Sequence, residues 1–528
     1  MSTETKGPRS ALAPRPYRAI GRQGLEIVGD QWGDEAGAPV VLLHGGGQNR
    51  HAWKGTAAML ARHGYFVTAV DARGHGDSGW STEGHYEMDD HAADLLSVIE
   101  TLGRPPAVVG ASMGGMTALW AQGAAEQQLF SALILVDVTP RMELSGVTRI
   151  MGFMAAHPDG FDSLQQAADV IATYNPHRPR SGDVSGLRKV LRERDGRWHW
   201  RWDPRFITSK AELMSGDPTS VEERMTRMAT QLHDAARRVE VPALLVRGAE
   251  SDLVSPESVQ EFLAAVPHAG YVDVTGTGHM VAGDDNDAFT AAVLDFLHDH
   301  VPADAGESAL LAARRLAAHA ARRFGHALVH HDAPVEVLDQ IAEQLRAATE
   351  DLERSPERDR LAAMLASDRL KAMMVGEAPA TPADGSTIDF APYSLVGGAA
   401  NPLGVAASYV RHGEQVVADV VLGAAFEGPP GRAHGGIVSA VVDETMTALL
   451  SVLGTIAFTA SLQIDYLGPT PLHAPLEFRA RLAERSGRSL TLECTGRSGD
   501  DVFVRSTGTF IEVELRQLMA DMNQLIDD

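Results

Sequence analysis

Apolar and polar positions along the chain fall into three regimes. Between residues 38 and 137, short apolar runs alternate with amphipathic stretches, and Pro39–Leu43, Tyr65–Val70, Ala107–Val109 and Ala132–Val136 read as buried strands. Uninterrupted apolar runs spaced by helix-length segments predict α/β architecture around a parallel sheet. The pattern lapses from about 140 to 235, in a polar, Met- and Arg-containing segment that carries the alternation Trp198, Trp200, Trp202. It resumes with strands at Pro242–Arg247 and Tyr271–Val274 and a closing helix at Ala288–Leu297. Beyond Val301 the Ala/Arg/Leu composition turns helical, with Leu338, Ile341, Leu345 and Leu352 on one face. Asp332 with Pro334, and Ser355 with Pro356, are helix starts. A Pro/Ala/Gly-rich linker follows at 377–386. From 387 to 515 strands flank one long apolar helix: Gln415–Leu422, the helix Ile437–Leu453, then Ser461–Tyr466, Leu476–Glu484, Leu490–Gly496 and Val502–Val513. That order is α+β.

Length and charge narrow what these segments do. A chain of 528 residues exceeds the usual size of one hydrophobic core and predicts two to four domains. The net charge of −24 opposes nucleic acid and anionic membranes, which select Lys and Arg patches. Neither is an expected partner. The one cysteine, Cys494, cannot form an intramolecular disulfide and fits a cytoplasmic location. The first sixteen residues lack the apolar core of a signal peptide and predict a loose tail. Asp443 and Glu444 interrupt the longest apolar stretch, around 437–462, which argues against a membrane span.

The first candidate chemistry is Gly-Ala-Ser-Met-Gly-Gly at 110–115, placed after one strand and before the helical Met116–Gln122. Such a strand-turn-helix context exposes a nucleophilic serine at a strand end. Alone, the motif reads equally well as a Gly-rich turn. Other parts accompany it. His44-Gly45-Gly46-Gly47 follows the strand Val40–Leu43, where backbone N–H groups could hold an oxyanion. The loop Asp71–Ser78 follows another strand, and Asp71 and Arg73 read as turn braces. Asp252 follows the strand ending at Arg247, and His279 follows Tyr271–Val274 through a Gly-Thr-Gly turn. With these residues in the order Ser, Asp, His, residues 17–300 resemble the α/β-hydrolase fold family. The resemblance implies Ser112 as nucleophile, His279 as general base, Asp252 as the acid that orients it, and the N–H groups of Met113 and Gly46 as oxyanion hole. Asp137, one strand earlier, is the alternative acid. His44, His75 and His91 read as loop and cap residues. The 140–235 segment resembles the cap that this family inserts over its site, and the Trp alternation reads first as packing within it.

The second candidate is His434-Gly435-Gly436, opening the helix on which Asp443 and Glu444 lie. Glycines at a helix start let a carbonyl approach free N–H groups, and the dipole favours a developing oxyanion. A carboxylate further along the helix can act as base or nucleophile. Either carboxylate could instead cap or pair at a subunit contact. Glu427–Gly436, Asp443-Glu444 and Thr459–Leu467 closely resemble hotdog-fold acyl-CoA thioesterases of the phenylacetyl-CoA (PaaI-like) type, over about 387–515. That resemblance implies Asp443 as catalytic carboxylate, Gly435 as oxyanion donor, and His434, Gly436, Glu444 and Thr459 in support. Asn401, in Asn-Pro-Leu-Gly, also matches, although a turn residue accounts for it. One departure stands out: Gly428 occupies the place, six before the His, where many relatives carry Asn.

The expected organisation is a disordered tail at 1–16, an α/β-hydrolase domain at 17–302 with a helical cap at about 140–235, a helical connector and linker at 303–386, a hotdog domain at 387–516 and a tail at 517–528. The expected function is bifunctional: serine-dependent ester or thioester hydrolysis in front and acyl-CoA hydrolysis behind. The alternatives are a lactonase, a C–C bond hydrolase or a cofactor-free perhydrolase in front, and a non-catalytic acyl-CoA-binding or dimerisation module behind. Neither chemistry calls for a metal or an organic cofactor. Small-molecule ester and acyl-CoA substrates are the expected partners. A lone hotdog unit leaves a sheet edge and an apolar helix to cover, which predicts a homodimer or tetramer.

Overall fold

The structure, a computed structural model, describes all residues except 1–13, 175–183, 214–217, 275–286, 302, 304–308, 359–380, 389–391 and 514–528. Residues 11–307 form one compact unit and residues from 308 onward another.

The first unit is built on an eight-stranded sheet. Its strands are β1 (Arg15–Ile20), β2 (Glu26–Trp32), β3 (Pro39–Leu43), β4 (Phe66–Val70), β5 (Ala107–Ala111), β6 (Ala132–Val136), β9 (Ala243–Gly248) and β10 (Gly270–Val274). Their order is β1-β2-β4-β3-β5-β6-β9-β10. β1, β2 and β4 pair antiparallel, and every pair from β4 to β10 is parallel. β1 already starts at Arg15, inside the stretch expected to be a loose tail.

The sheet is buried on both faces because alternate residues of its strands enter different cores. Val40 and Leu42 pack with Trp53, Leu60, Phe289 and Val293 on one side. Val41 and Leu43 pack with Leu95, Leu119, Leu232 and Phe262 on the other. Apolar runs with no polar alternation are the sequence form of this double burial.

The expected cap region holds the helices Leu144–Ala155, Leu164–Tyr174 and Pro204–Leu213 and a small hairpin, β7 (Leu191–Arg194) with β8 (Arg197–Trp200). The helix Pro218–Arg237, although also expected in the cap, has its second half in the main core. Leu232 and Ala236 are fully buried there with Ala118 and Leu119.

The second unit wraps a six-stranded antiparallel sheet around the helix Gly435–Leu453. Its strands are β11 (Ser408–His412), β12 (Gln415–Val421), β13 (Ala457–Tyr466), β14 (Pro475–Ser486), β15 (Ser489–Ser498) and β16 (Asp501–Glu512). The order is β11-β12-β14-β15-β16-β13, which leaves β13 at an edge. Val438, Val441, Val442, Met446 and Leu449 of the helix are fully buried with Phe478 and Phe510. The helix is long and apolar enough to cross a membrane, and here it is the core of the sheet. The preceding helix Ala309–His330, expected in the connector, lies in the same unit.

Candidate functional site

Ser112 follows β5, at a turn where the backbone takes φ 45° and ψ −110°. L-residues rarely adopt a positive φ. The turn into the helix Met113–Ala124 is tight enough to exclude side chains at two glycines. A Cβ on Gly110 would stand 2.5 Å from the Gly115 nitrogen, and one on Gly114 would stand 2.5 Å from the Leu43 carbonyl oxygen. Met113 opens the helix, so its N–H lacks an intrahelical acceptor and lies at the positive end of the dipole.

The loop leaving β3 runs beside the serine: a Cβ on Gly45 would lie 3.5 Å from the Ser112 Cβ. Gly45 N–H donates to Gln48 Oε1 at 3.0 Å and Gly47 N–H donates to His75 Nε2 at 3.2 Å, so Gly46 sits between two anchored amides. Two buried histidines shape this loop. His44 Nε2 accepts from Ala72 N–H at 2.9 Å and its Nδ1 meets the Gly45 carbonyl at 2.8 Å, while His75 Nδ1 meets the Arg73 carbonyl at 3.0 Å. One accepting and one donating nitrogen per ring fits the neutral form. Burial pushes His44 down to about 4 and His75 to about 3. Both act as scaffold. Below them Asp71, fully buried, accepts Arg50 N–H at 2.7 Å and Asp77 N–H at 2.8 Å, and Arg73 grips Asp94 at 2.6 and 2.7 Å.

An apolar wall adjoins the serine turn. Met113, Met154, Trp202, Phe206, Ile207 and Tyr86 form one buried cluster. Positions a Cβ on Gly47 would take lie 3.1 Å from the Met154 Cε and 3.3 Å from the Trp202 ring. Trp200 stacks on Trp202 with centroids 4.5 Å apart. Of the Trp alternation, Trp202 and Trp200 lie on this wall while Trp198 packs with Phe161 elsewhere in the expected cap region, and nothing in the pattern singled out Met154 or Phe206.

Asp252 lies beyond β9, two strands from β5. Arg149 of the cap helix Leu144–Ala155 donates to both its oxygens, at 2.5 and 2.8 Å, and also lies 4.6 Å over the Tyr174 ring. Asp137, after β6, is buried at φ 49°. Its oxygens accept Gly248 N–H at 3.1 Å and the Ser251 hydroxyl at 2.7 Å. Ser251 Oγ in turn accepts Leu253 and Val254 N–H, each at 3.2 Å. Asp137 therefore shapes the loop that carries Asp252. His279 lies outside the described residues.

In the second unit, His434 caps the core helix, its Nδ1 accepting Gly436 N–H at 3.0 Å. The Tyr466 hydroxyl donates to the Gly435 carbonyl at 2.7 Å. Asp443 Oδ1 accepts the Thr459 hydroxyl at 2.8 Å. A register shift in the β13–β16 pairing between Thr459 and Ser461 marks a bulge there, a device that re-aims side chains. Glu444 is held by its own neighbours: it accepts Gly397 N–H at 2.6 Å, the Tyr409 hydroxyl at 3.1 Å and the Ser394 hydroxyl. That engagement suits a brace for the loop at 394–397. Asn401 forms a turn, its Oδ1 accepting Leu403 N–H at 2.9 Å. Gly428 packs on the His434 turn so closely that a Cβ would lie 2.9 Å from the His434 Cα. An Asn there would require a different loop. Among the described residues no group of three or more His, Cys, Asp or Glu could hold a metal ion.

Comparisons with known proteins fall on the same two regions. Residues 40–293 match the profile of the Alpha/beta hydrolase family and residues 430–504 that of the Thioesterase superfamily. An esterase of Mycobacterium tuberculosis, Rv0045c, is 32% identical over 267 residues, 48% of this chain and 80% of that protein. A bifunctional esterase/perhydrolase of Acinetobacter calcoaceticus is 29% identical over 247 residues, 44% of this chain and 82% of that protein. A crystal structure of a thioesterase superfamily protein aligns at 28% identity and a TM-score of 0.31, covering 39% of this chain and 91% of that one.

Proposed function

Because the chain belongs to the Alpha/beta hydrolase family through its N-terminal half and carries a hotdog thioesterase domain in its C-terminal half, it is a hydrolase, and we propose that it houses two independent acyl-transfer sites. In the first, Ser112 Oγ attacks an ester carbonyl while His279 takes its proton. Asp252 orients the imidazole, and the Met113 and Gly46 amides receive the oxyanion. The alcohol leaves with the proton, and water activated by His279 releases the acid. The observation that carries this reading is the Ser112 backbone, held at φ 45° beside the Gly45–Gly46 loop. The apolar wall of Met154, Trp202 and Phe206 favours an apolar acyl or aromatic group. The same triad serves a perhydrolase when peroxide replaces water, and product analysis with and without peroxide separates the two.

In the second site, Asp443 acts on an acyl-CoA thioester as base or nucleophile, with the Gly435 amide as oxyanion donor and Thr459 fixing the carboxylate. Eight residues of helix, about 12 Å of axis, separate Gly435 from Asp443 within one chain. That span is too long for both to reach one carbonyl carbon. A complete site therefore calls for a second copy, Gly435 of one chain facing Asp443 of the other in a homodimer or larger assembly. The exposed edge strand β13, with Phe458 and Tyr466 each at least half exposed, supports such pairing.

The test is hydrolysis of a panel of p-nitrophenyl esters and acyl-CoAs by the wild type, Ser112→Ala and Asp443→Asn. Ser112→Ala should lower ester cleavage by about 10⁴ or more and spare acyl-CoA hydrolysis, and Asp443→Asn should do the reverse. Loss of both activities in either variant would point to one shared reaction. Full thioesterase activity in Asp443→Asn would leave the C-terminal half as a binding or dimerisation module.

A further inference from the structure

The helix Ala309–His330 precedes the hotdog sheet by some eighty residues of chain and lies outside the matched segment 430–504. Its side chains nevertheless reach two loops that frame the candidate thioesterase site. His326 Nδ1 accepts Ala425 N–H at 3.0 Å, and the ring packs edge-on against Phe426 with centroids 5.0 Å apart. The backbone at Gly423 comes so near that a Cβ would stand 2.8 Å from the imidazole. From Phe426 the connection to the site is one bond, since the His434 N–H donates to the Phe426 carbonyl at 2.8 Å. His434 is the cap of the helix whose first amides include Gly435 and Gly436. On the second side, Arg322 donates to the carbonyls of Ala399 and Asn401 at 3.1 and 2.6 Å, and Arg314 to the Tyr393 hydroxyl at 3.0 Å. These residues flank the loop that holds Glu444, next to Asp443.

We propose that this helix is a positioning element of the thioesterase site, with His326 as the residue that fixes the turn delivering His434 and Gly435. The role requires an acceptor at Nδ1, hence a neutral ring. Burial lowers the His326 pKa, and the groups facing it add to the effect: Arg322 one turn back on its own helix and His473 from the loop before β14. His330, on the next turn of the same helix, lies 6.1 Å from His473, ring to ring. Protonation would turn the acceptor into a donor opposite an N–H and release the turn. The sign is therefore loss of activity on acidification, at a pH below the ordinary histidine value of ~6.5.

This inference rests on the acyl-CoA reading of the site, so its test carries one readout that needs no turnover. His326→Ala and His326→Asn are compared with the wild-type full chain, because Asn offers an acceptor oxygen close to the place of Nδ1 and does not titrate. The first readout is amide hydrogen exchange of the segment 424–437. The second is kcat and KM for acyl-CoA hydrolysis between pH 5 and 8. We expect His326→Ala to exchange faster across 424–437 and to lose about tenfold or more in kcat with a smaller change in KM. His326→Asn should restore both and should keep its activity at acidic pH better than the wild type. Unchanged exchange in His326→Ala overturns the proposal, as does an Asn variant that melts like wild type yet behaves like Ala. Wild-type protein inactive on every acyl-CoA would defeat the substrate reading, and exchange alone would then decide the positioning role.

Discussion

Arg149 of the cap helix holds both carboxylate oxygens of Asp252, the residue proposed to orient His279. A cationic partner there cancels part of the negative charge that stabilises an imidazolium. Arg149→Met should therefore raise the pH at which ester kcat/KM climbs on its acidic side, by roughly half a unit given how exposed the pair is. The pH profile of the variant checks this. If Asp137 were the orienting acid instead, Arg149→Met would leave the profile in place and Asp137→Asn would mimic Ser112→Ala.

His44 and His75 are buried and held neutral, their pKa values lowered to about 4 and about 3. Unfolding returns each toward ~6.5, so between these values the unfolded chain binds more protons than the folded one. Stability of the first unit is thus full above the unfolded value and falls as pH drops, by about 1.4 kcal/mol per pH unit for each histidine. All seven tryptophans, from Trp32 to Trp202, lie in this unit, so tryptophan fluorescence in urea reads its unfolding within the full chain. A midpoint independent of pH from 7 to 4.5 would contradict the buried neutral rings.

Trp202 and Met154 close over Gly47 beside the serine turn. Trp202→Ala removes the larger wall and should move ester preference toward longer or bulkier acyl groups. We expect KM for short acyl esters to rise about fivefold, in line with loss of about 1 kcal/mol of apolar contact. An acyl-length profile unchanged from wild type would place the acyl group elsewhere.

Assembly is testable by complementation. Gly435→Pro removes the proposed oxyanion N–H at a helix position where proline is tolerated, and Asp443→Asn removes the carboxylate. After subunit exchange, random pairing of the two inactive proteins should return about a quarter of wild-type thioesterase activity, since half the dimers carry one intact site of two. A strictly monomeric, active thioesterase by light scattering would rule the arrangement out.

The parallel sheet was legible in the sequence because burial on both faces leaves uninterrupted apolar runs such as Val40–Leu43 and Leu133–Val136. β1 and β11 were not, since in Arg15–Ile20 only Tyr17 and Ala19 mark the inner face, and in Ser408–His412 the buried pair Tyr409 and Val410 is adjacent and gives no alternation. The serine candidate was legible as a motif because backbone geometry demands glycine at fixed neighbours, as Gly110 and Gly114 show, whereas the aspartate candidates came from chain order and resemblance. Residues that act through space had no such signature. Met154 and Phe206 come from separate helices onto one wall, and the spacing of His326 and His330 on a helix gives no hint of the loop across from it. Asp137 was weighed as an acid, and only the three-dimensional structure reveals its grip on the Asp252 loop through Gly248 and Ser251.

The positive φ of Ser112 has a consequence for how the enzyme can be improved. A residue held there costs on the order of 1–3 kcal/mol, which glycine would not incur. Ser112→Gly should thus melt higher than Ser112→Ala while being equally inert on esters. Selection for thermal robustness alone would drift toward discarding the proposed nucleophile, and any stabilising library drawn on this chain has to be screened for turnover as well as for heat survival. Ser112 sits against the preference of its own backbone, so on the proposed mechanism this turn is a place where folding and turnover pull in opposite directions.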